Sequence, residues 1–340
     1  MASRRDPWID NAKMVLVTIV VIGHAVVLLP TSDLESQAYD FIYYFHIPVF
    51  VLLSGYLSRS FRYTPKHLWA LVTTLVVPYL LFSWLMAQFR HHVGGEALLD
   101  PIFTNPRWPM WYLAVLVIWR LATPVLKRHW AMVPASIAVS LLAGQTNQEL
   151  FDLNRAMGLL PFFVVGLHLP DRVIDRVKQR STRIAAAVAL LALWVFADFT
   201  NRFWSTSWLY YRSSYADLGA DLGDGAWIRA RLIVISLIGC FAVLSLIPQR
   251  RTFLSDMGAF SLVVYLMHGF FVRYAGYQDW DSYLPDSPLL SLIVVVVLAV
   301  LLALLLAWPP VAQRLNYLVD PVNSVVKARA KRAVGIRSGR

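Results

Sequence analysis

A basic residue and a histidine stand eleven residues apart on the first apolar segment of the chain. Lys13 opens an apolar run that ends in Gly23-His24. Eleven residues of α-helix make about three turns, so Lys13 and His24 share one face at a separation of roughly 16 Å along the axis. If the segment spans a membrane, Lys13 lies near the surface and His24 near the bilayer centre. An imidazole at that depth is costly unless it is paired or used, and imidazoles suit general acid or base catalysis near neutral pH.

Two further histidines are expected at the depth of His24. His46 enters the second apolar segment beside Pro48, and His268 follows Tyr265 in the ninth segment. These two histidines and Tyr265 are candidates for catalysis or for positioning the acceptor. Three imidazoles at one depth would line one polar cavity, although each could also simply hydrogen-bond a neighbouring carbonyl or face a water-filled vestibule. They could also ligate a metal, but no spacing motif supports one, and we expect no metal site.

Other polar residues near these segments have both a structural and a functional interpretation. Asp10 stands three residues before Lys13 and can form an ion pair with it. Alternatively, the long Lys13 side chain simply extends to the membrane–water interface. Ser54 with Gly55 favours close helix packing but could also position a substrate. Arg120, inside the fourth apolar segment, needs an anion, a carboxylate or the interface.

The elements that carry these residues are apolar runs long enough to cross a bilayer. Of the 340 residues, 58% are hydrophobic and 15% charged, and the mean hydropathy is +0.56. Soluble domains contain more polar residues. The sequence predicts an all-α fold, a polytopic transmembrane helical bundle of about ten helices. The predicted spans lie near 14–30, 41–57, 68–88, 109–126, 131–143, 157–169, 184–199, 230–247, 258–273 and 289–308.

Charge distribution predicts the orientation of the bundle. The formal charge is +11, but the basic residues fall in short segments between apolar runs, which indicates membrane topology and lipid contact rather than nucleic-acid binding. Both termini are expected in the cytoplasm of a plasma-membrane protein. The segment behind Arg4 and Arg5 resembles a signal peptide but is interpreted as an uncleaved first span. We expect an integral membrane domain over residues 1–312 and a basic cytoplasmic tail over 313–340. The lone Cys240 excludes disulfides within the chain.

The longest predicted outer loop, residues 200–227, is rich in aromatic and acidic residues. It is either an interfacial aromatic belt with solvated acids or a platform for a sugar ring, with carboxylates that accept from its hydroxyls. On the second interpretation, the residues that bind the acceptor are Trp204, Trp208, Tyr211 and Asp217.

An ordered set of motifs resembles the membrane-bound acyltransferase 3 family, closest to its fucose 4-O-acetylase-like branch. The family signature is a basic residue, ten intervening residues and a histidine, here Lys13 and His24. The resemblance covers nearly the whole chain and rests on Asp10-Asn11-Ala12-Lys13, Phe45-His46-Ile47-Pro48-Val49-Phe50, Leu53-Ser54-Gly55-Tyr56, Trp111-Tyr112-Leu113, Leu160-Pro161-Phe162-Phe163-Val164-Val165-Gly166 and Ser261-Leu262-Val263-Val264-Tyr265-Leu266-Met267-His268.

The resemblance implies an integral membrane O-acyltransferase. It would move an acyl group, commonly acetyl from acetyl-CoA, to a carbohydrate or glycolipid near the outer face, with acyl-CoA as co-substrate and no tightly bound cofactor. His24 would act as general base or carry the acyl group itself, assisted by Lys13. The chain departs from the family pattern in two ways. First, Lys13 replaces the family's usual arginine and supplies a point charge instead of a bidentate fork. Second, some relatives also carry a soluble catalytic domain, whereas here the membrane domain is expected to complete the reaction or hand the acyl group to a partner.

The donor would dock on basic residues at the cytoplasmic side. Its phosphates are expected near Arg59, Arg62, Arg120, Lys127 and Arg128. Functions of two other classes fit the same residues. A proton-coupled transporter of a small solute would also place His and Lys inside a bundle, although no internal repeat is visible. A non-catalytic partner of a glycan export complex would tolerate loss of His24.

Overall fold

The computed structural model describes residues 6–30, 32–98 and 101–325, and within them the chain forms sixteen α-helices and no strand. The first eight are α1 (Pro7–Val26), α2 (Asp33–Tyr43), α3 (His46–Ser58), α4 (Pro65–Leu71), α5 (Val77–His92), α6 (Trp111–Leu126), α7 (Met132–Ala143) and α8 (Leu153–Gly158). The others are α9 (Leu160–His168), α10 (Asp171–Val177), α11 (Arg180–Ala197), α12 (Leu222–Leu246), α13 (Phe253–Met257), α14 (Ser261–Tyr277), α15 (Pro288–Ala307) and α16 (Pro309–Val319). Arg4, Arg5 and residues 326–340 of the predicted tail lie outside this description.

The all-α class is confirmed, but the count of about ten membrane spans is not. In the described chain, seven helical segments are long and apolar enough to cross a membrane: Pro7–Val26, Asp33–Ser58, Pro65–His92, Arg180–Ala197, Leu222–Leu246, Phe253–Tyr277 and Pro288–Ala307. The segments Leu150–Gly158 and Leu160–His168 meet at a bend of 60° and add an eighth only if they form one broken span. The two remaining predicted spans fall on α6 and α7, which have 16 and 12 residues. Apolar composition continues through these helices, but their length falls short of a bilayer.

The helix with the catalytic candidates lies inside the bundle. In the most apolar stretch of α1, 67% of the residues are buried within the protein, against 28% in α15. Asp10, Asn11 and His24 of α1 are buried and therefore contact protein rather than lipid, which is where ionisable groups are tolerated. The helix begins at Pro7 because the Asp6 side chain accepts a hydrogen bond from the Trp8 backbone amide at 2.9 Å.

Asn11 fixes the start of α1 to the turn between α12 and α13. Its fully buried amide nitrogen donates to the carbonyls of Pro248 and Arg250 at 2.8 and 2.9 Å. Its oxygen accepts from the hydroxyls of Thr252 and Ser255 at 2.9 and 2.7 Å. Every hydrogen-bonding position of the amide is satisfied, so the network holds α1 at one height and rotation in the bundle.

Helices α3 and α9 pack with their backbones almost in contact. A methyl group at Gly55 would lie 2.0 Å from the carbonyl oxygen of Phe163, and one at Gly166 would lie 2.0 Å from that of Leu52. Only glycine permits this approach, as the small-residue pattern of the sequence predicts. Because His46 begins α3, the contact also sets the position of that imidazole.

Replacing Gly166 with alanine should separate α3 from α9 and destabilise the bundle. We expect Gly166→Ala to cost about 1–3 kcal/mol through overpacking, measured as a lower thermal unfolding midpoint of the purified protein in detergent. The matched control is Gly223→Ala on α12, where the new methyl would meet only Asp221 at 3.4 Å. Equal midpoints for Gly166→Ala and the native protein would contradict the packing account.

Candidate functional site

Three imidazoles from separate helices meet inside the bundle. His24 lies near the end of α1, His46 begins α3 and His268 lies in the middle of α14, and none is more than 5% exposed. Nδ1 of His24 lies 2.9 Å from Nε2 of His268, and the two ring planes are nearly parallel, at 15°, with centroids 5.2 Å apart. The ring of His46 stands edge-on to that of His24 at 6.1 Å. The structure thus brings together the three histidines expected at one depth.

Hydrogen bonding assigns the tautomers of the His24–His268 pair when both rings are neutral. Nδ1 of His268 lies 3.1 Å from the carbonyl oxygen of Val264, which can only accept, so Nδ1 carries the proton. Nε2 of His268 is then an acceptor and takes its hydrogen bond from Nδ1–H of His24. The remaining nitrogen of His24, Nε2, carries a lone pair and has no hydrogen-bond partner among the described residues. This is the arrangement of a general base held by a second group.

His46 presents a second free lone pair. Its Nδ1 lies 3.0 Å from the carbonyl oxygen of Ile42 and must donate to it. Its Nε2 is buried and has no partner in the described part of the chain. A buried acceptor without a donor is unfavourable, so this nitrogen favours a ligand that donates, such as a hydroxyl group.

A cavity of about 700 Å³ is lined by His24 and His46, and we call it the His24 cavity. Its walls come from α2 and α8, from the ends of α1, α5 and α14, from the starts of α3 and α6, and from the loops before α6, α8 and α12. Aromatic rings form much of the wall: Tyr39, Tyr43, Trp108, Trp111 and Tyr210. The Trp108 ring lies 4.7 Å from that of His24, and the Tyr43 ring 4.3 Å from that of His46. Aromatic rings beside hydrogen-bonding groups suit a small cyclic ligand that has apolar faces and polar groups at its edge.

Arg155, which lines this cavity, is a residue that the sequence patterns did not single out. Arg155 on α8 pairs with Asp152 at 2.8 Å, donates to the carbonyl of Tyr210 at 3.1 Å and stacks on Trp111 at 4.2 Å. The available signal was an arginine three residues after an aspartate, directly before an apolar segment. That pattern is common at helix starts, so it carried little weight alone.

Glu96, in the loop after α5, balances one of the cavity arginines. Burial raises the pKa of Glu96, but hydrogen bonds from Arg90 and from the Tyr277 hydroxyl outweigh it, so the pKa lies below its ordinary value. The carboxylate is therefore charged at neutral pH, and Arg90 is neutralised by it.

Lys13 and Asp10 form an ion pair with N and O 3.3 Å apart, and neither lines the His24 cavity. The predicted residues Ser54 and Tyr265 lie behind the histidines. Tyr265 donates to the carbonyl of Pro109, its ring lies 6.0 Å from His268, and Ser54 bonds the Tyr112 hydroxyl at 2.6 Å.

The structure does not bring the predicted acceptor-binding residues to the His24 cavity. The side chains of Trp204, Trp208 and Tyr211 are buried against the bundle, and the exposed Asp217 accepts from the Asn147 amide at 3.0 Å. Trp204 and Trp208 touch a separate cavity of about 540 Å³. The neighbouring Leu209, Tyr210 and Arg212 line the His24 cavity instead.

The residues predicted to dock the donor lie at the other end of α3 from His46, and none of them lines the His24 cavity. Arg59 pairs with Asp171 at 3.1 Å, and Lys127 donates to the carbonyls of Arg59 and Phe61 at 2.9 and 2.6 Å. These two cations already hold the loop between α3 and α4. Arg62 and Arg128 have exposed side chains, and Arg120 has a buried Nε without a partner among the described residues.

The described residues contain no group of three His, Cys, Asp or Glu side chains placed to hold a metal ion. The three histidines instead bond to one another or to backbone carbonyls. Their arrangement is that of a hydrogen-bonded base.

Comparison with known proteins adds one family match and two relatives. A family model described as an acyltransferase domain matches residues 6–308. The nodulation protein NolL of Sinorhizobium fredii (strain NBRC 101917 / NGR234) is 24% identical over 293 residues, which cover 79% of this chain and 78% of that protein. NolL of Mesorhizobium japonicum (strain LMG 29417 / CECT 9101 / MAFF 303099) is 40% identical over 62 residues, 17% of each chain. No solved structure matches the chain.

The tautomer of His24 should depend on His268. In protein with ¹⁵N-labelled histidine, we expect the His24 signals, assigned by their loss in His24→Ala, to show a protonated Nδ1 and an unprotonated Nε2. His268→Ala should mix the two tautomers because the acceptor of the Nδ1 proton is gone. An Nε2-protonated His24 in the native protein would contradict the assignment.

Proposed function

Because the chain belongs to the acyltransferase 3 family, we propose that it is an integral membrane O-acyltransferase. It transfers an acyl group, most simply acetyl, from cytoplasmic acyl-CoA to a hydroxyl of a carbohydrate or glycolipid at the outer face of the plasma membrane. The observation that carries the proposal is the free lone pair on Nε2 of His24 at a large cavity, fixed by the bond from Nδ1 to His268. A transferase needs a base at the place where a hydroxyl is activated.

In the proposed reaction, Nε2 of His24 takes the proton of the acceptor hydroxyl as its oxygen attacks the thioester carbonyl carbon. A C–O bond forms, the C–S bond breaks, and the CoA thiolate leaves and receives the proton from His24. His268 acts as a positioning residue: it holds Nε2 towards the cavity and stabilises the transient imidazolium through the Nδ1–H bond. The same geometry also supports a two-step route, in which Nε2 takes the acyl group as the CoA thiolate leaves and then passes it to the acceptor oxygen.

The acceptor end of the proposal rests on the wall of the His24 cavity. Trp108 and Tyr43 offer ring faces beside His24 and His46, and His46 Nε2 can accept from a second hydroxyl. A sugar ring presents apolar faces and several hydroxyls, which these groups match. This replaces the predicted platform of Trp204, Trp208 and Tyr211, whose rings are packed inside the fold.

The donor end of the proposal rests on charge at the opposite end of the bundle. With both termini in the cytoplasm, the start of α1 and the exposed Arg62 and Arg128 face acyl-CoA, and its thin pantetheine arm passes between helices towards His24. Lys13 lies about three turns below His24 and supplies positive charge on that route. The membrane domain, residues 1–312, performs the transfer.

Loss of the His24 imidazole should abolish the reaction without unfolding the protein. We expect His24→Ala to lower acyl transfer by about 10² to 10⁴-fold, since that is the usual contribution of a general base. The assay is acetylation of glycan or glycolipid by membranes that carry each variant, normalised to the amount of inserted protein.

The matched control is His92→Ala, which removes an exposed imidazole at the end of α5 and should leave the rate unchanged. Native activity in His24→Ala would exclude His24 as the base. Absence of transfer by the native protein, together with proton-linked uptake of a solute, would support a transporter instead.

Lys13 is expected to act on the donor through its charge. Lys13→Ala should raise KM for acyl-CoA by about tenfold, the scale of one charge-assisted contact, while Lys13→Arg should keep most of the affinity. Asp10→Asn is the control, because it breaks the same ion pair but leaves the lysine charge. Equal defects in Lys13→Ala and Asp10→Asn would assign Lys13 a structural role only.

A further inference from the structure

The His24 cavity is lined by more cations than its carboxylates can balance. Five arginines and two carboxylates line it: Arg90, Arg107, Arg155, Arg212, Arg273, Glu149 and Asp152. Three of the arginines have a carboxylate partner: Arg155 pairs with Asp152, Arg212 with Glu149 at 3.8 Å, and Arg90 with the nearby Glu96. Two arginines, Arg107 and Arg273, have no such partner among the described residues.

The unbalanced arginines lie close to the histidines. The Arg273 guanidinium stands 5.2 Å from the centre of the Trp108 ring, which in turn contacts His24. Its Nε is buried and has no hydrogen-bond partner in the described structure. Arg107 precedes Trp108 in the chain and is half-buried. A partly buried guanidinium with unused donors is unfavourable, and an anion with two or three oxygens is the group that satisfies it.

Resting on the proposed function, we infer that the His24 cavity binds an anionic acceptor: a sugar that carries a carboxylate or a phosphate, held by Arg107 and Arg273. Guanidinium groups match the oxygens of both anions with paired hydrogen bonds. The ring faces of Trp108 and Tyr43 and the free nitrogens of His24 and His46 fit the neutral remainder of the same molecule. The anion then orients the sugar so that one hydroxyl meets His24.

Acyl-CoA also carries phosphates and is the second source of such an anion. Its nucleotide would enter from the cytoplasm, at the end of the bundle where α1 begins. The His24 cavity lies at the end where α1 finishes and α6 begins. This geometry favours the acceptor as the source, and the experiment below separates the two.

The test is ligand-induced stabilisation of the native protein in nanodiscs of zwitterionic lipid. Thermal unfolding midpoints are measured with inorganic phosphate, glucuronate, glucose as the neutral match, and CoA. We expect phosphate and glucuronate to raise the midpoint and glucose to leave it unchanged. Arg107→Gln and Arg273→Gln should each weaken glucuronate binding by about tenfold or more, the loss expected for one charge-assisted contact.

Three further variants keep the result interpretable. Arg314→Gln removes an exposed arginine of α16 and should bind glucuronate like the native protein. Arg273→Lys keeps the charge if Arg273→Gln does not fold, and it should retain partial binding. His24→Ala should lose acyl transfer but keep the stabilisation by inorganic phosphate, so failure of the proposed reaction and failure of the anion site give different results.

Absence of stabilisation by both phosphate and glucuronate would overturn the inference. Stabilisation by CoA that both Arg107→Gln and Arg273→Gln abolish, without an effect of glucuronate, would assign these arginines to the donor and also overturn it. Anion binding that survives both Arg107→Gln and Arg273→Gln would place the anion at another site and would likewise overturn the inference.

Discussion

The hydrogen bond between Nδ1 of His24 and Nε2 of His268 joins the first helix of the chain to the fourteenth, and the chemistry of the cavity depends on it. Because the Val264 carbonyl fixes the proton on His268, the proton on His24 is fixed as well, and one nitrogen remains free. The fold supports this bond from both sides. Asn11 anchors the start of α1 through four hydrogen bonds, and the close contact of α3 with α9 sets His46 beside the pair. A reaction centre inside a membrane needs this support, since a loose imidazole would find another carbonyl.

The two ends of the bundle differ in what their cations do. At the end opposite the His24 cavity, Arg59 is bound to Asp171 and Lys127 to backbone carbonyls, so these two cations stabilise loops, while Arg62 and Arg128 are exposed. At the His24 cavity, positive charge exceeds the available carboxylates, and aromatic rings separate it from the imidazoles. An acceptor that is both anionic and rich in hydroxyls can pair with the excess positive charge and hydrogen-bond to the imidazoles. A neutral apolar ligand can do neither. The proposed transfer therefore combines a donor that arrives from one end with an acceptor selected by charge at the other.

The sequence predicted the helices and the histidine cluster better than it predicted the cavity. A run of apolar residues with Lys13 and His24 on one face is a local pattern, and depth within each span placed His46 and His268 at the same level. The walls come from loops and helix ends, such as Trp108 and Arg155, which no periodicity brings together. The aromatic residues of the long loop are a second example. Trp204, Trp208 and Tyr211 pack inward while Tyr210 faces the cavity, and the residue types alone do not predict which side chain points where. The span count failed because apolar composition does not report the length or bend of a helix.

The central claim is that His24 is the point where donor and acceptor meet. The most direct test is a cryo-electron microscopy structure of the protein in nanodiscs with an unreactive thioether analogue of acetyl-CoA. We predict density for the nucleotide at the end of the bundle near Arg62 and Arg128, and density for the acyl end in contact with Nε2 of His24. An acyl end that lies away from His24, or a nucleotide bound between Arg107 and Arg273, would contradict the account.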